Sequence, residues 1–291
     1  MTVCFGRICC AVIACNLWLA GCASGGGDAR AQAYQLAKAS GFHAVIIPAG
    51  PFHLLAFLRF SAPAKVLRVY IEGDGHAWDT IESASNDPTP WSPVALELAA
   101  ADPAAAVAYL ARPCQYVPPG TDVACTQSLW TDARYSPAVI ASINQALDRL
   151  KALAGASRLA LVGFSGGGAV AVLAGARRGD LSSIRTVAAD LDTALWTQEH
   201  GVTPLYHSLN PLTAAPLLAA VPQVHFVGGA DRIVDLRIVK SFAVTVGPTR
   251  CLDIVVVPGL EHGDAWRAQW PRLLSRPWPA RCEQQSGITR E

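Results

Sequence analysis

The feature that most constrains this chain is the junction at residues 159–177. Leu159-Ala160-Leu161-Val162 is a continuous apolar run, the pattern of a strand covered on both faces. It passes with no spacer through Gly163-Phe164-Ser165-Gly166-Gly167 into a small-residue segment that reads as a helix to Arg177. Gly163 and Gly167 stand two residues before and two after Ser165, where so sharp a turn leaves no room for side chains. A strand feeding straight into a helix is the repeating unit of parallel sheets with helical layers.

The rest of the chain supports that architecture. Candidate strands are His43–Pro48, Phe52–Phe60, Val66–Glu72, Ala106–Ala111, Leu159–Gly163, Ile184–Ala189, Val224–Gly228 and Leu252–Pro258. Candidate helices lie between them at Pro93–Ala101, Pro137–Leu153, Gly166–Arg177, Asp235–Val246 and Asp264–Leu274, with Pro93 and Pro137 in first-turn positions. No helix separates the earliest strands, so that edge is expected to be antiparallel. The expectation is one α/β domain over 41–285, with a mostly parallel sheet of the eight-stranded type and helices on both faces. The interval from Asp190 to Pro222 has room for a short helix and a loop, and not for a large cap domain. With 52% hydrophobic and 15% charged residues, a buried core is well supplied, and a net charge of +1 without charge runs excludes nucleic-acid binding through a basic footprint.

Ser165 sits where the strand ends and the helix begins. A serine hydroxyl is a weak nucleophile until a base takes its proton and fixed donors hold the developing oxyanion. The Gly166 N–H, at a helix N-terminus, is expected to be one donor. Asp231 follows the strand Val224–Gly228, and His262 follows the strand Leu252–Pro258 in Gly-Leu-Glu-His-Gly. Both leave the sheet on the side of Ser165. Asp231 would hold the imidazole tautomer, and His262 would act as general base and then general acid.

These residues resemble the α/β-hydrolase superfamily: Ser165 in Gly-Phe-Ser-Gly-Gly, Asp231 in Gly-Gly-Ala-Asp-Arg-Ile-Val, and His262 in Gly-Leu-Glu-His-Gly. The resemblance implies an esterase- or lipase-like serine hydrolase, needing no metal or organic cofactor and acting on a small-molecule or lipid ester. It also implies a second oxyanion donor after the strand Val66–Glu72, where Gly73 or Asp74 stands in Glu-Gly-Asp-Gly in place of a His-Gly pair. An acyltransferase with the same triad and a non-catalytic envelope protein on the same scaffold are the alternatives.

Several competitors share the sequence. Gly166-Gly167-Gly168-Ala169-Val170-Ala171 fits a dinucleotide fingerprint with Asp190 downstream, but that reading leaves Gly163, Asp231 and His262 without a role. Asp190, Asp192 and Asp235 compete for the acid, Asp235 with a helix cap as its other role. Of the other histidines, His225 lies within a strand as a core residue, and His76 and His207 are candidates to line the site. Trp78, Trp91, Trp130 and Trp196 fall in rim loops.

The N-terminus reads as an export signal over 1–21: Arg7, then an apolar stretch from Ile8 to Ala20 too short for a comfortable membrane span. Leu19-Ala20-Gly21-Cys22 resembles a bacterial lipobox, which implies lipid attachment at Cys22 and anchoring to the cell envelope, with 22–40 as a flexible tether. The signal would carry away Cys4, Cys9, Cys10 and Cys15. Cys114, Cys125, Cys251 and Cys282 then remain in the folded domain, an even count that favours disulfides outside the cytoplasm. Of the three pairings, Cys114–Cys125 and Cys251–Cys282 each close a local segment. Residues 286–291 are left as a tail.

Overall fold

The computed structural model describes residues 25–118, 120–263, 265–279 and 282. Eight strands form one sheet: β1 (His43–Ala49), β2 (Phe52–Phe60), β3 (Val66–Ile71), β4 (Ala106–Leu110), β5 (Arg158–Phe164), β6 (Leu181–Val187), β7 (Gln223–Gly228) and β8 (Leu252–Val257). Their order is β1-β2-β4-β3-β5-β6-β7-β8. β2 pairs antiparallel with β1 and β4, and every other neighbouring pair is parallel. The antiparallel edge is the one expected from the missing helices between the early strands.

The helices are α1 (Gly25–Ala39), α2 (Val94–Ala100), α3 (Pro137–Leu153), α4 (Gly166–Gly175), α5 (Thr193–His200), α6 (Leu236–Val246) and α7 (Trp266–Leu274). Strand residues alternate between two cores because successive side chains leave opposite faces of a sheet. Leu159 and Leu161 of β5 join Ile140 and Ile143 of α3, Val170 of α4 and Phe242 of α6 on one side. Val162 and Phe164 face the opposite core, with Ala33 and Ala37 of α1, Leu98 of α2 and Trp266 and Trp270 of α7. α3 begins as its sequence directs, with Pro137 in the first turn and Ser136 Oγ accepting the Val139 N–H at 3.4 Å. Pro93 stands one residue earlier than expected, as the cap residue of α2.

One expectation is corrected. The segment assigned to a flexible tether over 22–40 is helical from Gly25 to Ala39 and belongs to the fold. Ala29, Ala33 and Ala37 recur at four-residue spacing and are buried, so they form one helical face small enough to pack closely on the sheet. Tyr34 meets Phe57 edge-on at 5.2 Å, and Arg30 pairs with Asp87 at 2.6 Å. The expected signal, Cys22 and the tail over 286–291 lie outside the described residues. No helix among the described residues is long and apolar enough to cross a membrane.

Between β6 and β7 the chain forms α5 and two short 3-10 turns at Pro211–Thr213 and Ala215–Leu218, and no cap domain. The disulfides are Cys114–Cys125 and Cys251–Cys282, with Cα separations of 5.6 and 4.7 Å.

Candidate active site

Chain order and sheet order diverge around β3. The chain adds β4 on one side of it and then crosses to place β5 on the other, leaving a crevice outside the carboxyl ends of β3 and β5. Ser165 follows β5 directly, in a left-handed conformation with φ 51° and ψ −125°. A non-glycine residue held there stores about 1–3 kcal/mol of backbone strain. The surroundings enforce it. A Cβ at Gly163 would lie 2.3 Å from the Gly167 carbonyl oxygen, and one at Gly167 would lie 2.2 Å from that of Ile71, so strand and helix meet backbone to backbone. The Ser165 N–H donates to the Val187 carbonyl at 2.9 Å, which pins the turn to β6.

Three strand ends converge on this turn. His262 Nε2 lies 3.0 Å from Ser165 Oγ, and His262 Nδ1 lies 2.9 Å from Asp231 Oδ2. Asp231 Oδ1 accepts the backbone N–H groups of Ile233 and Val234 at 2.8 and 2.9 Å, which orients the carboxylate and leaves Oδ2 for His262. The Asp231 side chain is fully buried, whereas His262 keeps 17% of its surface exposed. Phe164 packs its ring 5.2 Å from the imidazole and supports its orientation.

Two of the three competing carboxylates are committed elsewhere. Asp192 accepts the Leu195 N–H at the start of α5, the amide of Asn210 and the hydroxyl of Ser241. Asp235 accepts the Arg237 N–H and caps α6. Among the other histidines, His225 is a buried core residue bonded to Thr186, its ring pushed down to about 3 by burial. His207 is an exposed partner of Asp132 and does not reach the site, contrary to expectation.

The loop after β3 lies against the serine, close enough that a Cβ on Gly73 would sit 3.4 Å from that of Ser165. The Gly73 N–H, one of the expected oxyanion donors, is already taken by Glu72 Oε1 at 2.9 Å. The Asp74 N–H forms no hydrogen bond among the described residues, and the Gly166 N–H opens α4, where no intrahelical acceptor exists. The Asp74 carboxylate is clamped by Arg112 at 3.0 Å, Arg134 at 2.8 Å and the Tyr135 hydroxyl at 3.2 Å. Burial alone would raise Asp74, but Arg134 and Arg112 outweigh it and hold the carboxyl below its ordinary range. This clamp carries no local sequence signal, because its members come from three distant segments.

Two further carboxyl groups face the crevice. Burial pushes Glu72 up to about 7, against the N–H bonds from Gly73 and Ala95. Burial, with the Asp74 carboxylate nearby, pushes Asp190 up to about 8, and Arg134 only partly offsets it. The cavity over Ser165 measures about 560 Å³, and Trp78, Trp91 and Trp196 line it. His76 lines it too, stacked on Trp91 at 4.0 Å. Trp130, expected at the rim, is buried with its indole N–H on the Ser85 carbonyl. Among the described residues no group of three or more His, Cys, Asp or Glu side chains is gathered as a metal-ligand set.

The sequence matches no protein-family model and none of the curated proteins. Solved structures do match. An esterase from Pyrococcus furiosus superposes with a TM-score of 0.57 at 13% identity, over 84% of this chain and 92% of its own. A serine hydrolase without a lid from Xanthomonas campestris gives 0.52 at 16% identity, over 82% and 95%. The fold is the α/β-hydrolase fold. An α/β serine hydrolase homologue from Coxiella burnetii matches in the same way, with a TM-score of 0.54 at 15% identity over 80% of this chain and 97% of its own. At these identities the likeness fixes the architecture alone.

Proposed function

We propose that this chain is an exported serine hydrolase that cleaves carboxylic esters through an acyl-enzyme on Ser165. The observation that carries the reading is the unbroken line from Ser165 Oγ through the His262 imidazole to Asp231, with contacts of 3.0 and 2.9 Å. Ser165 Oγ attacks the ester carbonyl as its proton passes to His262 Nε2, and Asp231 stabilises the imidazolium. The Gly166 and Asp74 N–H groups receive the tetrahedral oxyanion. Its collapse breaks the ester C–O bond, and Nε2 returns the proton to the leaving alcohol. A water then gives its proton to Nε2 and attacks the acyl carbon, and the second collapse releases the acid and restores Ser165.

Esterase and serine hydrolase neighbours favour an ester substrate, and the short β6–β7 connection favours an open cleft. Two disulfides support an oxidising compartment. Attachment of lipid to Cys22 completes the reading and places the domain on the cell envelope.

A fluorophosphonate probe should label Ser165 in the folded protein and leave Ser165→Ala unlabelled. Ester turnover should fall by about 10³-fold or more in both Ser165→Ala and His262→Ala, with folding intact. Undiminished turnover in Ser165→Ala overturns the proposal. Palmitate incorporation that is lost in Cys22→Ala tests the anchor.

A further inference from the structure

We propose that Asp190 is the recognition residue of the cavity, selecting uncharged esters that carry a hydroxyl group near the scissile bond. The inference rests on the hydrolase reading above and names its substrate class. Asp190 leaves the carboxyl end of β6 just after Ala188, which is held at φ 48°, and it lines the same cavity as Ser165. It is 5% exposed, and its Oδ1 has no hydrogen-bond partner. Of the other carboxyl groups nearby, Asp74 is spent on Arg112, Arg134 and Tyr135, Asp192 on the start of α5, and Asp231 on His262, while Glu72 keeps an unpartnered Oε2 but is only 1% exposed. Arg134, the nearby cation, directs its side-chain donors to Asp74 and to the Thr131 carbonyl. A buried carboxyl atom left unpaired costs about 1–3 kcal/mol, which a ligand hydroxyl would recover once a turn of the Asp190 side chain brings Oδ1 to the cavity surface.

The surroundings define that ligand. Burial keeps Asp190 protonated at neutral pH, so it both donates and accepts, as a hydroxyl does. The Arg134 guanidinium beside the cavity opposes an ammonium group. The aromatic faces of Trp78, Trp91 and Trp196 suit the carbon skeleton of a hydroxylated ligand more than a fully solvated ion. The hydroxyl can belong to the acyl part, as in a hydroxyalkanoyl ester, or to the alcohol part, as in a glycerol or sugar ester.

Two matched substrate pairs separate these sources in the full-length chain. One pair is para-nitrophenyl butyrate with para-nitrophenyl beta-hydroxybutyrate, and the other is propyl butyrate with glyceryl monobutyrate. The expected result is a kcat/KM preference of about 10-fold or more for the hydroxylated member of one pair, as sites built to bond a substrate hydroxyl discriminate strongly. Asp190→Leu, which keeps the volume and removes the bonds, should collapse that preference to within about 2-fold. Asp190→Asn, which still donates and accepts, should retain most of it. A wild type that prefers neither hydroxylated ester overturns the inference, as does an Asp190→Leu variant that slows both members of a pair in equal proportion. Fluorophosphonate labelling of Ser165 tells the two failures apart. A labelled enzyme without discrimination sinks this inference alone, and an enzyme that neither labels nor turns over any ester removes the hydrolase reading and this one with it.

Discussion

Individual residues in this site are held by steric and electrostatic necessity more than by contact area. Gly163 is the clearest steric case, since an added methyl would meet the Gly167 carbonyl oxygen at 2.3 Å. Gly163→Ala should cost on the order of 2 kcal/mol or more and displace Ser165 enough to lower labelling, read by thermal melting and probe kinetics together. Asp190 is the electrostatic case. Its folded value of about 8 lies above the ordinary 3.8, so the native state keeps a proton that the unfolded chain releases. Stability from this group is therefore complete below about pH 4 and is lost as pH rises towards about 8. Asp190→Asn removes that loss, and its melting temperature should gain on wild type progressively between about pH 5 and about pH 8. That Ser165, Asp231 and His262 would meet was legible in the sequence because each follows an apolar strand in a short glycine-bearing motif. The clamp on Asp74 was not, because Arg112 and Arg134 lie 38 and 60 residues away and no periodicity announces them.

Among the elements, α1 and the loop closed by Cys114–Cys125 matter beyond their size. Helix α1 hides from a sequence reading because its fully buried residues are the alanines Ala29, Ala33 and Ala37 behind a glycine run, which reads as linker. A chain beginning at residue 41 would expose the surface that Ala33 and Ala37 cover and leave Tyr34 missing from Phe57. Its melting temperature should fall by several degrees or more against a chain beginning at Gly25. The disulfide loop has a second link to chemistry. Gln115, next to Cys114, donates to the Gly73 carbonyl at 2.9 Å and so helps fix the loop after β3 against Ser165. Cys114→Ala with Cys125→Ala should cost about 2–3 kcal/mol and also lower kcat, a pairing that denaturant titration and ester kinetics measure separately. The strands were easier to foresee, since buried parallel strands are written as unbroken Val, Ile and Leu runs.

For the whole molecule, one sheet collects six loops at a single rim: those after β3, β4, β5, β6, β7 and β8. Their side chains share no sequence neighbourhood, so only the parallel topology explains their meeting. The same topology puts α1 on the opposite side of the sheet from α3, α4 and α6, next to α2 and α7. Because α1 starts at Gly25, only Ala23 and Ser24 separate it from Cys22. The three steps from Cys22 to Gly25 span at most about 11 Å fully extended. Under the proposed lipidation, the domain would ride on a short leash, close against the bilayer and restricted in how it can turn. Under the proposed hydrolase reading, substrates would then be met at the membrane surface, and the direction in which the cavity opens relative to that plane would become part of the selectivity.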